Sequence, residues 1–74
     1  MSKAIPTTAP RTKLGRNVNC LRQARRLTQE QLAELVEIDR RYLQRIERGT
    51  ANPGIDVLHR LRRILRVRWG ELLD

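Results

Sequence analysis

The sequence predicts an all-α fold of five short helices, and three observations carry that prediction. From Leu14 onward the apolar residues recur at intervals of three and four instead of alternating. Start and stop residues, Thr28, Asp39, Gly49 and the turn Asn52-Pro53-Gly54, punctuate that pattern. No segment has a strand-like run, and the longest apolar runs are pairs such as Leu35-Val36 and Ile64-Leu65.

Each helix has its own warrant. Leu14, Val18 and Leu21 share one face of a first helix over roughly 14–25, with Arg16, Asn17 and Gln23 on its polar side. Thr28-Gln29-Glu30-Gln31 has the hydroxyl-x-x-amide spacing of a capping box, so a second helix begins there and turns Leu32, Ala33 and Val36 inward. Asp39 is a good N-cap for a third helix over 39–48 carrying Leu43 and Ile46. Gly49 ends that helix with a residue able to take positive φ. Ile55, Val57, Leu58, Leu61, Ile64 and Leu65 form the broad stripe of a fourth helix. Its Arg60, Arg62, Arg63 and Arg66 point away or favour the helix C-terminus through its dipole, a solvated arrangement. Trp69, Leu72 and Leu73 imply a short final helix that caps the core and is a candidate two-fold interface. Residues 1–13 mix prolines, threonines and Lys3, Arg11 and Lys13 with little apolar content. They read as a flexible basic arm preceding a domain over 14–74.

Composition removes several classes of function. The 74 residues hold 16 Lys or Arg against 8 Asp or Glu, a formal charge of +8, and leave room for one core only. A membrane span needs about 20 apolar residues, and the N-terminal segment lacks the apolar middle of a secretory signal, so a cytoplasmic chain is expected. Cys20 has no disulfide partner, and with the single His59 it cannot make a four-ligand zinc site. That histidine and cysteine are far apart in sequence and no paired carboxylates share an outward face, so neither an enzyme nor a cofactor is expected.

The spacing of residues 28–48 carries the functional reading. Two short helices joined by a three-residue turn must cross closely. Leu32 and Val36 anchor the first, Ala33 permits the approach, Ile38 plugs the turn, and Leu43 and Ile46 seat the second. The helix over 39–48 then presents Arg40, Arg41, Gln44, Arg45 and Arg48 outward, with Tyr42 beside them, while Glu30, Glu34 and Glu37 lie on the preceding helix. A cationic helix so mounted fits the major groove of B-DNA, where arginine donates two hydrogen bonds to guanine O6 and N7. Backbone amides at a helix N-terminus, with flanking donors such as Gln29 and Thr28, grip phosphates and set the register.

Leu14-Gly15, Leu21-Arg22, Leu27-Thr28-Gln29-Glu30-Gln31-Leu32-Ala33-Glu34, Ile46-Glu47-Arg48-Gly49, Asn52-Pro53 and the Glu71-Leu72-Leu73 tail together resemble one family. It is the helix-turn-helix family named for the xenobiotic-response element, which includes lambdoid phage repressors, Cro proteins and restriction-modification controllers. The resemblance covers residues 14–73 and implies a compact five-helix, lambda-repressor-like DNA-binding domain, bacterial or phage-encoded and acting at the nucleoid. It implies that Arg40, Arg41 and Arg45 read bases, with Gln44 a lesser reader. Thr28, Gln29, Tyr42, Arg48 and Asn52 are the phosphate-contacting candidates. It also implies that Arg22 pairs with Glu47 and locks the reading helix to the scaffold. Where the family often has glycine, this chain has Arg26, Glu37 and Arg66. Either those turns are left-handed at about 1 kcal/mol each, or their shape differs slightly.

The expected function is sequence-specific binding of double-stranded DNA as a transcriptional regulator, with repression the simplest outcome. One helix reads only a few base pairs, so a homodimer on a pseudo-palindromic operator is expected. The rival readings are an antitoxin or other module with a protein partner, a restriction-modification controller, and a charge-driven binder indifferent to sequence.

Overall fold

The computed structural model describes residues 9–74, which form five α-helices. They are α1 (Pro10–Ala24), α2 (Gln29–Val36), α3 (Arg40–Arg48), α4 (Ile55–Leu65) and α5 (Trp69–Leu73). The all-helical class and the helix order agree with the sequence reading. The start of the first helix is corrected, from Leu14 to Pro10. Proline at the first helical position gives up no intrahelical bond and has a suitable φ, and the Ala9 carbonyl accepts from Thr12 and Lys13 at 2.9 and 3.0 Å. Arg11 and Lys13, expected in a flexible arm, are therefore helical. Lys3 and the arm through residue 8 lie outside the described residues.

The apolar stripes of all five helices meet in one core. Val18, Leu32, Val36, Leu43, Leu61, Leu65 and Leu72 are fully buried, and Ile46 and Ala33 nearly so. Each buried leucine stabilises the fold by about 1.5–3 kcal/mol relative to exposure. Ile38 packs against this core from the turn between α2 and α3. Leu72, expected as part of a two-fold interface, is corrected: it faces inward beside α1, whose Asn17 Nδ2 donates to the Leu72 carbonyl at 2.9 Å. Among the described residues no helix is long and apolar enough to cross a membrane.

Four helices stop in the same way. After α1, α2, α3 and α4 the residues Arg26, Glu37, Gly49 and Arg66 take left-handed φ of 56, 64, 79 and 58°. The next amide in each case reaches back to a carbonyl in the last turn. Leu27 N donates to Arg22 O, Ile38 N to Ala33 O, Thr50 N to Arg45 O and Val67 N to Arg62 O, at 2.9–3.2 Å. This is the Schellman arrangement, which satisfies carbonyls that the helix leaves open. Of the two geometries the sequence left open, the left-handed one is therefore adopted at all three non-glycine positions. The compensation is visible: Leu27, Ile38 and Val67, each following a left-handed residue, pack into or against the core.

Candidate nucleic-acid interface

α3 is fixed from beneath and open above. Asp39 caps it, its Oδ2 accepting from the Arg41 amide at 3.1 Å. Leu43 and Ile46 fill the core below, so helical periodicity divides the remaining side chains into two rows. Arg40, Gln44 and Glu47 form the row that turns toward α2 and α1. Arg41, Arg45 and Arg48 form the outer row. All three are exposed, and their side chains make no hydrogen bond or ion pair among the described residues.

The inner row is bound to its neighbours. Arg40 Nη1 stands 3.4 Å from Glu30 Oε2, but the side chains are 55% and 75% exposed, so this pair contributes little and is easily exchanged. Gln44 Nε2 donates to Gln29 Oε1 at 3.2 Å, and Gln29 Nε2 donates to Glu47 Oε1 at 3.0 Å. Arg22 Nε and Nη2 grip the Glu47 carboxylate at 2.7 and 3.2 Å, and Asn19 Nδ2 adds a bond of 3.0 Å. Arg22 Nη1 meanwhile donates to the Leu27 carbonyl at 2.9 Å, tying the start of α2 into the same set. With side chains 12% and 5% exposed, Arg22 and Glu47 form a partly buried pair. Burial pushes the Glu47 carboxyl up, but hydrogen bonds from Arg22, Gln29 and Asn19 and the Arg22 charge outweigh it, so its pKa is lowered.

The other candidate contacts fall around these rows. Thr28, Gln29 and Arg40 line one cleft of about 200 Å³ between the N-termini of α2 and α3. The Thr28 hydroxyl accepts from the Gln31 amide at 3.0 Å while Gln31 Oε1 accepts from the Thr28 amide at 2.8 Å, completing the capping box. Because Gln29 spends its side chain on Glu47 and Gln44, it has its backbone amide and second Nε2 hydrogen left for a phosphate. The Tyr42 ring packs against the core. Asn52 stands apart from the cleft, in the α3–α4 connection beside Pro10 and Arg11. Trp69 is remote from α3 and stacks instead with Arg62, whose guanidinium carbon lies 5.2 Å from the ring centroid.

Residues 21–72 match the family model described as helix-turn-helix. The chain belongs to the helix-turn-helix family. Over 45 residues this helix-turn-helix chain is 42% identical to the immunity repressor protein of Bacillus phage phi105. The match takes in 61% of this chain but 31% of that protein, so the chain spans about a third of the relative's length. The restriction-modification controller protein C.AhdI from Aeromonas hydrophila matches with a TM-score of 0.81 at 35% identity, over 88% of this chain and 98% of that one. The controller C.Esp1396I bound to a 25 base pair operator site matches with a TM-score of 0.76 at 27% identity, over 89% and 87%. The helix-turn-helix chain is accordingly a DNA-binding regulator by class.

Two residues that hold the helix-turn-helix unit in place escaped the sequence reading. Asn19 is one. The other is Gly15, where an added Cβ would stand 2.4 Å from the Ile46 carbonyl oxygen and 2.6 Å from that of Glu47. Backbone of α1 thus lies directly on backbone of α3. The signal was present: Gly15, Asn19 and Arg22 recur at helical spacing, and a glycine inside a helix costs about 1 kcal/mol relative to alanine unless close approach needs it.

Proposed function

We propose that this protein binds double-stranded DNA sequence-specifically, reads the major groove with α3, and represses transcription by occupying an operator, without catalysing a reaction. The observation that carries this reading is the outer row of α3: Arg41, Arg45 and Arg48 stand exposed, with no side-chain partner among the described residues, on a helix whose inner row is bonded to its neighbours. Arg41 and Arg45 reach guanine edges. Arg40 joins them by exchanging Glu30 for a base, and Gln29 presents Gln44 in a fixed orientation. Thr28, the Gln29 amide, Tyr42, Arg48 and Asn52 meet phosphates, which position the helix without specifying sequence.

Two copies bind half-sites about 34–36 Å apart, one turn of DNA. Of the large apolar side chains left exposed, Leu35, Ile55, Trp69 and Leu73, the last three supply the contact between copies. Ile55 is the most exposed of these, at 67%. A second reading, a controller of a restriction-modification system, is supported by the match to C.AhdI over 98% of that chain. In either role the protein works in the cytoplasm at the nucleoid.

Selection of bound sequences from a random duplex pool tests the proposal. Enriched duplexes carrying two guanine-containing half-sites in symmetric array are expected, and a pool that stays random would leave only charge-driven binding. Transcription in vitro from a promoter overlapping the selected site should fall as protein is added. A rise would replace repression with activation.

A further inference from the structure

Away from α3, the C-terminal ends of α1, α2 and α4 converge on a groove floored by Leu35 and Ile64. Two hollows of about 290 and 510 Å³ share these residues, and no residue of α3 or α5 lines either one. Leu35 is 50% exposed on the outer side of α2, and Leu27 extends the floor toward α1. Arg60 and Arg63 rim one hollow, Arg25 and Arg66 the other, and among the described residues that line them Glu37 is the one carboxylate.

Helix ends explain part of this charge. Each helix C-terminus carries about half a negative charge, so three of them with Glu37 offset a little over half of what four arginines bring. The hydrogen bonds tell the same story. Arg60 Nε donates to the Val36 carbonyl at 2.8 Å and Arg25 Nη1 to the Leu21 carbonyl at 3.3 Å, whereas Arg63 and Arg66 make no side-chain hydrogen bond among the described residues.

We infer that this groove docks an acidic amphipathic segment of another protein, one that seats bulky apolar side chains on Leu35 and Ile64 and sets carboxylates against Arg63 and Arg66. The occupant is neither of the two partners already proposed. A DNA phosphate gains nothing from an apolar floor, which a nucleic-acid surface would not retain. A second copy docked two-fold on the same groove would bring four arginines against their own counterparts, because an isologous contact pairs a patch with itself. The complementary surface is apolar and negative, as in helix-in-groove recognition.

Selection from a displayed library of random 16-residue peptides, on the full chain with competitor duplex DNA saturating α3, tests this directly. Enriched peptides should carry paired bulky apolar residues flanked by Asp or Glu, and amide shifts on titrating a selected peptide should map to Leu35, Arg63, Ile64 and Arg66. Leu35→Ser and Arg63→Gln should each weaken that peptide about tenfold while leaving the melting temperature and duplex affinity unchanged. The inference fails if no acidic peptide is enriched, if shifts map to α3 or to Ile55 and Trp69, or if Leu35→Ser binds peptide like the parent. It fails equally if duplex DNA itself shifts Arg63 and Arg66, or if Leu35→Ser abolishes self-association. None of these outcomes depends on whether α3 reads sequence.

Discussion

α3 and α4 are both arginine-rich helices laid over the same core, yet they treat their arginines in opposite ways. In α4, Arg60 turns back to the carbonyl of Val36, and Arg62 donates to the carbonyl of Val67 at 3.4 Å while lying over Trp69. The buried Arg62 Nε has no hydrogen-bond partner among the described residues. In α3 the outer arginines make no hydrogen bond or ion pair among the described residues, and the polar bonds are made by Gln44 and Glu47 one row inward. Cationic composition alone therefore does not distinguish a binding surface from helix-end neutralisation. α2 and α4 end beneath arginines, whereas the outer row of α3 stands over solvent.

The comparison breaks most severely at Glu47, the acid on which the position of α3 rests. Glu47→Ala strands Arg22 and should cost about 3–5 kcal/mol, read as the loss in thermal or denaturant stability. A variant as stable as the parent would mean that the packed backbone alone locates α3. The same carboxylate makes stability pH-dependent. With its pKa lowered on folding, its contribution is complete above the ordinary glutamate value of the unfolded chain and disappears as pH falls through the folded one. Glu47→Gln should flatten that acid limb in melting curves.

Arg41→Ala and Arg60→Ala sharpen the contrast between the helices. The first should remove about 1–3 kcal/mol of discrimination at one base position and leave the melting temperature in place. Equal weakening on all sequences would make Arg41 a phosphate contact. Arg60→Ala should do the reverse, lowering stability by about 1.5 kcal/mol through the open Val36 carbonyl while sparing operator affinity. The smallest effect belongs to the turn that joins the two reading-unit helices. Glu37→Gly relieves a left-handed residue, less the freedom that glycine adds to the unfolded chain, and should raise stability by about 0.5–1 kcal/mol in urea unfolding.

Helix order and the packing positions were legible because each depends on local signals: Thr28 with Gln31, Asp39, Gly49, and apolar spacing of three and four. The beginning of α1 was not, because Pro10 is followed by Arg11, Thr12 and Lys13, none of them apolar, and only a capping argument reveals it. At Arg26, Glu37 and Arg66 the resemblance raised a left-handed geometry without deciding it. It is set by the apolar residues after them, whose burial is a tertiary matter. At the site, the arginines of α3 could be named from periodicity. The routing of Gln29 into Glu47 and Gln44 could not, since it joins side chains 18 and 15 positions apart. Leu72 and Leu73 were read together, as core cap and as candidate interface, for a related reason: only the tilt of α5 decides which leucine faces in.

The absence of room for even a methyl group at Gly15 has a mechanical corollary. With main chain seated on main chain there, α1 and α3 should move as one block if the protein adjusts to a duplex. Adding a single base pair between half-sites moves the second by about 3.4 Å along the axis and turns it about the helix. A paired protein of this construction should act as a stiff gauge, intolerant of such insertions, where a loosely hung reading element would forgive them.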